Sequence, residues 1–315
     1  MAVSRLEVLA EFGYSKDPFK GFRMETADSL RLKRLLKMAI ESKAMVSVVA
    51  SWGFGKTSAL EIAFREIDAH MVRLITPDKE RVVVSDIEKA LILGLSNESC
   101  KRTKEVRARQ IRRILGEASR EKPIVLILEE AHRMHGQTLR ALKTFREMEW
   151  MGQSPLFTVV MIGQYDPMRK KYVDEVRLRS DTVFMKGLTD SEVREYTRNT
   201  VGKSFEPDAV EAVSRLTGTR NYLDLQEILL NLMSKAIEIG QKTVSVLEVF
   251  DLYGGGFKEV MKRVNISLGE LAAETGIPKS TLSLVTNEKQ GTLTDDTYHD
   301  ARRAITDVLR RKGVA

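Results

Sequence analysis

At 315 residues the chain can bury a sizeable core and, by length, suggests about two domains. Its 43% hydrophobic and 30% charged content is that of a soluble globular protein, and no apolar run approaches the roughly 20 residues of a membrane span, so no membrane partner is expected. The net charge of +7 is concentrated at residues 101–122, a basic cluster dense enough to attract a polyanion, while a single cysteine, Cys100, excludes an intrachain disulfide and fits a reducing, cytoplasmic setting.

The N-terminal "MAVSRLEVLAEFGYSKDPF" carries early acids and no apolar core run, so no signal peptide is expected. Leu30, Leu32, Leu35, Leu36, Ala39 and Ile40 recur with helical period and predict a helix over 28–43. "MVSVVA" (45–50) reads as a buried strand, followed by a glycine-bearing loop and a helix from Thr57 to Ala69. "MVRLIT" (71–76) is a second strand, and "VVVSDIEKALILGL" a short extended run, then a helix capped by Ser85 or Asp86. Residues 101–122 hold nine Lys and Arg against three Glu, so most of the net charge sits on one predicted helix. Pro123 opens the strand "IVLILEE", a helix covers 136–150, and "LFTVVMIG" (156–163) is another strand. Strand and helix alternate, so the core is an α/β sandwich around a mostly parallel sheet.

From about 188 only helical patterns remain, giving a small α-helical lid over 188–253. "GGG" at 254–256 reads as the start of a linker (254–263), and 264–315 as a third unit. The core with its N-terminal segment is then 1–187.

"ASWGFGKTSAL" (50–60) has the form of a phosphate-binding loop whose first glycine is replaced by Ala50. Such a loop needs glycines that turn backbone N–H groups toward phosphate, a following helix N-terminus, a Lys for the β/γ oxygens and a hydroxyl for Mg²⁺. Gly53, Phe54, Gly55, Lys56, Thr57 and Ser58 fill these positions, and a methyl at Ala50, on the strand end, is expected to cost little. "IVLILEE" supplies Glu129 where an Asp is usual, as a Mg²⁺-side carboxylate with Thr57, and Glu130 as the group that activates water. The extra methylene of Glu129 predicts slow turnover. ATP and Mg²⁺ are the implied cofactors. His132 and His135 form an H-x-x-H pair, but in a loop after a strand, so zinc is not expected.

With "LILEEAHRM", "VVMIGQYDPM", "VRLRSDTVFMKGLTDSEVREY" and "LTGTRNYLDLQEIL" in this order, residues 10–250 resemble the AAA+ ATPases of DNA transposition, the group of the phage Mu B protein. The resemblance implies an ATPase acting in a bacterial or phage-infected cell. It puts Gln164 at the sensor-1 place, Arg179 or else Arg177 as an arginine finger for a neighbouring subunit, and Arg220 at the sensor-2 place of the lid. It also puts "FGYSKDPF" near the adenine.

"SLGELAAETGIPKSTLSLVTNEK" (267–289) has the pattern of a helix-turn-helix. Leu268, Leu271, Ala272, Ile277, Leu282 and Val285 would be buried, Gly276 would make the turn, and a second helix from Pro278 would expose Lys279, Ser280 and Thr281 to DNA. Mu B proteins carry such a domain at the other end of the chain. Arg102, Lys104, Arg107 and Arg109 are further candidates for DNA contact, with Lys79 and Arg81 as an alternative surface.

The expected function is an ATP-dependent, non-sequence-specific DNA-binding ATPase that assembles as a filament or ring on duplex DNA and delivers it to a transposase or activates that enzyme. The rival readings are an ATP-regulated, sequence-specific transcriptional regulator and a loader or secretion-type accessory ATPase.

Overall fold

The computed structural model describes residues 4–74, 82–171, 173–287 and 293–311. A short helix, α1 (Arg5–Glu11), starts the chain, closed by a Ser4–Glu7 capping box. The next elements alternate: α2 (Ala27–Glu41), β1 (Met45–Val49), α3 (Lys56–Phe64), β2 (His70–Leu74), α4 (Val84–Leu95), α5 (Lys104–Glu121) and β3 (Ile124–Leu128). They continue with α6 (Gly136–Arg146), β4 (Thr158–Gly163), α7 (Asp174–Arg177) and β5 (Ser180–Phe184). The five strands form one parallel sheet in the order β2-β3-β4-β1-β5.

Alternation along β3 shows why this sheet is covered on both faces. Ile124, Leu126 and Leu128 enter one core with α4, α5 and α6, while Val125 and Ile127 enter the other with α2 and α3. Since β4 lies between β3 and β1, the loops leaving the C-terminal ends of all three strands are neighbours. That edge is where ligands gather in open parallel sheets.

Several predicted boundaries move for visible reasons. The helix at α3 stops at Phe64 rather than Ala69, because the chain turns at Ile67 (N–H to Phe64 O, 3.1 Å) to enter β2 at His70. Helix α6 ends at Arg146 rather than 150, and the chain beyond it lays the Trp150 ring over Gly116 of α5. Neither Ser85 nor Asp86 is the N-cap of α4: Val83 is, and Asp86, three residues on, accepts the Val83 N–H at 3.0 Å. Strand β5 escapes the sequence reading because only Val183 of its five residues is buried, so no apolar run marks it.

The second body is helical: α8 (Asp190–Val201), α9 (Pro207–Ser214), α10 (Tyr222–Glu238), α11 (Val246–Tyr253), α12 (Phe257–Val264), α13 (Leu268–Thr275), α14 (Lys279–Thr286) and α15 (Asp295–Arg311). Residues Met1–Met24 cluster with Leu188–Ala315, and Glu25–Gly187 form the α/β unit. The N-terminal segment therefore departs from the expected 1–187 grouping. Val8, Leu9 and Phe19 are buried in the helical core, and the Tyr14 hydroxyl hydrogen-bonds Ser204 at 3.0 Å.

The expected linker also differs. Phe257 and Val260 of α12 are buried, and one core runs from α8 to α15. The glycines before α12 are packed rather than loose. A Cβ on Gly255 would lie 2.4 Å from Leu216 Cδ2, and one on Gly256 would lie 2.6 Å from Val246 Cγ2 and 2.8 Å from Ala212 Cβ. Beyond this junction, α13 begins at a Ser267–Glu270 capping box, Gly276 turns in the left-handed region at φ 72°, and Pro278 caps α14. Leu271, Leu282 and Val285 are fully buried, while Leu268, Ala272 and Ile277 pack partly buried around them.

Candidate nucleotide site

The phosphate loop leaves β1 at the centre of the sheet edge. Ala50 is buried and extends the sheet, its N–H donating to Gly163 O of β4 at 3.1 Å. Its φ is not positive, so the residue that replaces the usual glycine needs no glycine conformation. The glycines that do need one are Gly53 (φ 75°) and Gly55 (φ 72°), the latter as the N-cap of α3. A side chain there would be strained, and the left-handed turn points the next amides at the helix entrance.

Lys56 folds back on the loop, its Nζ donating to Ala50 O at 2.5 Å and Ser51 O at 3.0 Å. Burial pushes its pKa down, and the Glu130 charge acts against that shift. Lys56, Thr57, Glu61, Arg73, Glu129 and Glu130 line one cleft, floored by Leu60, Phe64, Ile127 and Ile162. Phe54 and Ser58 lie beside it, partly buried.

The adjacent strand β3 delivers both acids. Glu129 N–H still donates to Leu74 O of β2 at 3.4 Å, so it closes the ladder, whereas Glu130 leaves it at φ 51°, ψ 35°. That left-handed backbone is uncommon for a residue with a side chain and costs energy that the surrounding packing must hold. Among the described residues no three His, Cys, Asp or Glu side chains form a metal cage. Mg²⁺ needs none, because one carboxylate and one hydroxyl complete a shell of phosphate oxygens and water. Thr57 and Glu129, hard oxygen donors on one cleft, fit that set. His132 and His135 do not form such a cage.

Gln164 follows β4 directly, so the sheet order brings the sensor-1 candidate between the loop and the acids. The sequence does not single out His132 for this site, yet it reaches both neighbours. Its Nδ1 accepts the Gln164 N–H at 3.3 Å, and its Nε2 lies 3.7 Å from Glu130 Oε2. His132 follows Glu129 by three positions and Glu130 by two, and that proximity to the acids is the available signal.

The arginines are elsewhere. Ser180 pairs with Met45 at the start of β1, so Arg177 and Arg179 precede the sheet edge opposite the phosphate loop. The length of β1 alone, about 13 Å at about 3.3 Å per residue, separates the two edges. Both side chains are exposed. Arg177 Nη2 is 2.7 Å from Asp174, and Arg179 donates to Glu175 O at 2.8 Å. Arg220 belongs to the helical unit, where it bonds Leu188 O at 2.7 Å and Asp190 at 2.8 Å.

The basic residues on α5 and just before it divide. Arg102, Lys104 and Arg109 are exposed. Arg107 differs from the DNA-facing role expected for it: its Nε donates to the mostly buried Glu88 at 2.6 Å, and its Nη1 to Lys101 O at 3.2 Å. The pair raises the arginine's pKa further, and the group serves to hold α5 against α4. Lys79 and Arg81 lie outside the described residues. Lys279 and Ser280 are exposed on the first turn of α14, and Thr281 is partly exposed.

Residues 39–171 match the family model described as AAA domain. No curated protein matches the chain significantly. Among solved structures, Cdc6p of Pyrobaculum aerophilum superposes with a TM-score of 0.53 at 14% identity, over 95% of this chain and 84% of that one. Drosophila ORC bound to DNA gives 0.49 at 13%, over 100% and 80%. The Aeropyrum pernix ORC1 protein in complex with DNA gives 0.47 at 13%, over 98% and 85%. At these identities the likeness to Cdc6p is one of fold. Residues 39–171 thus match an AAA domain, and the five-stranded parallel sheet with the loop between β1 and α3 matches an AAA+ P-loop core.

Proposed function

We propose that this protein is an ATP-dependent DNA-binding ATPase of the AAA+ class that assembles on duplex DNA and hands that DNA to a transposase, or activates the transposase on it. The observation that carries the ATPase reading is the single cleft lined by Lys56 and Thr57 from α3 and by Glu129 and Glu130 after β3. In it Lys56 binds the β/γ-phosphate oxygens, Thr57 and Glu129 hold Mg²⁺, and Glu130 orients and deprotonates the attacking water. Mg²⁺ supplies neutralisation of the phosphate charge. Gln164 contacts the γ-phosphate or that water.

The opposite-edge location of Arg177 and Arg179 supports a head-to-tail assembly, in which the arginine of one subunit serves the nucleotide of the next. Arg220 then acts as the lid arginine. Exposed Arg102, Lys104 and Arg109, with Lys279, Ser280 and Thr281 on α14, support contact with phosphates of duplex DNA. The transposase partner rests on the motif order that resembles the transposition ATPases. The helix-turn-helix reading of α13 and α14 also favours a second function, a sequence-specific ATP-regulated repressor. Footprinting separates the two: a fixed operator supports the repressor, and ATP-dependent coating of any duplex supports target delivery.

Two variants and one image test the reading. Lys56→Ala removes ATP binding and DNA assembly together. Glu130→Gln keeps ATP-bound DNA complexes and lowers hydrolysis on the order of 100-fold or more, the worth of a general base. Electron microscopy with ATP and plasmid shows protein-coated duplex, and its absence under any nucleotide condition sinks the assembly.

A further inference from the structure

Glu130 and Gln164 stand at the ends of adjacent strands, and the His132 ring spans the gap between them. Its Nδ1 accepts the Gln164 backbone N–H at 3.3 Å, and its Nε2 faces Glu130 Oε2 at 3.7 Å. A neutral imidazole that accepts on Nδ1 carries its proton on Nε2, the edge turned to the carboxylate. Burial holds the ring's pKa below its ordinary value and so favours that neutral form.

The surroundings fit the ring closely. A Cβ on Gly163 would come 3.2 Å from His132 Nδ1 and 3.3 Å from its Cβ, so only glycine at the end of β4 leaves this room unforced. Tyr165 packs edge-on against the ring, centroids 5.7 Å apart. On the other side, the left-handed backbone of Glu130 would relax toward commoner torsions without something to hold it.

We propose that His132 is a positioning residue whose Nε2–H, 3.7 Å from Glu130 Oε2 in this structure, closes to a hydrogen bond on the carboxylate when nucleotide is bound and ties it to the Gln164 end of β4, so that base and sensor are set as one unit. The inference rests on the reading of Glu130 as the base. A carboxylate displaced by about 1 Å from its water can lose on the order of 100-fold in rate. Nucleotide affinity, set mainly by the phosphate loop, does not depend on this contact.

The test uses the full chain, with ATP binding measured by titration and hydrolysis by phosphate release, on His132→Leu, His132→Gln and Glu130→Gln in parallel. His132→Leu fills the same space without a donor and is expected to lower kcat roughly 10–100-fold with ATP affinity within about twofold of wild type. His132→Gln, whose amide reaches the Nε2 position, recovers most of that loss. Wild-type kcat in His132→Leu overturns the proposal, as does equal impairment of both His132 variants. Normal hydrolysis in Glu130→Gln overturns instead the assignment of the base. An inactive Glu130→Gln beside a fully active His132→Leu removes only the positioning role.

Discussion

Two glycine-bearing turns, one in each unit, look alike in sequence and do opposite work. In the phosphate loop Gly53 and Gly55 take φ near 75° and 72°, and the second of them is the N-cap of α3. At 254–256 the same torsions recur at Gly254 (φ 73°) and Gly256 (φ 79°), but here the missing side chains let backbone approach Leu216, Ala212, Val246 and Tyr298. One turn opens α3 beside the cleft, the other makes a packed joint. The joint makes α13–α15 continuous with the core of α8–α11 rather than a tethered appendage.

Substitution at the two turns separates these uses. Gly256→Ala adds a left-handed alanine, about 1–2 kcal/mol, to overpacking of about 1–3 kcal/mol, so denaturant unfolding of the helical unit should lose about 2–5 kcal/mol. Its ATP affinity, measured where the variant is folded, should stay within a few-fold of wild type. Gly55→Ala carries the torsional cost of a left-handed alanine, about 1–2 kcal/mol, and should lose ATP binding. If Gly256→Ala unfolds like wild type, the packed joint is wrong and the stretch is a linker after all.

A third glycine sharpens the contrast within the α/β unit. Gly116 sits inside α5, where a Cβ would meet Trp150 Cγ at 2.1 Å. Alanine is the better helix former by about 1 kcal/mol, so a purely local view expects Gly116→Ala to stabilise. Forcing Trp150 off α5 should reverse the sign, a net loss of about 1–3 kcal/mol by thermal unfolding. Restoration by Gly116→Ala combined with Trp150→Ala would trace the loss to that steric clash.

These cases mark what the sequence discloses. The sandwich and the cleft are legible because β1, β3 and β4 are apolar runs with their chemistry at their C-terminal ends, and the order of motifs needs no tertiary knowledge. Strand β5 is not, since an edge strand with one buried residue carries no periodic signal. The joint at 254–256 has the sequence of a linker because glycine runs are ambiguous until the atoms opposite them are known. In sequence His132 shows only an H-x-x-H spacing beside two acids that does not point to a metal, since its contacts with Gln164 and Glu130 depend on β3 and β4 being neighbours.

Arginine repeats the lesson with the smallest effect on the fold. Arg107 and Arg109 stand two apart on α5, so they point to different faces, and only Arg107 meets Glu88. Arg107→Ala leaves a mostly buried carboxylate without its partner and should cost about 1–3 kcal/mol of stability. Arg109→Ala should move stability by no more than about 0.5 kcal/mol. On duplex DNA the order reverses. Removing one phosphate-binding cation lowers the slope of log affinity against log salt by about 0.9, so Arg109→Ala should bind plasmid more weakly and with a shallower salt dependence, equally across unrelated sequences. Arg107→Ala, assayed while folded, should keep the wild-type slope. A flattened slope in Arg107→Ala with Arg109→Ala unchanged would mean that the ion pair opens on DNA and the face committed inside the free protein is the one that binds.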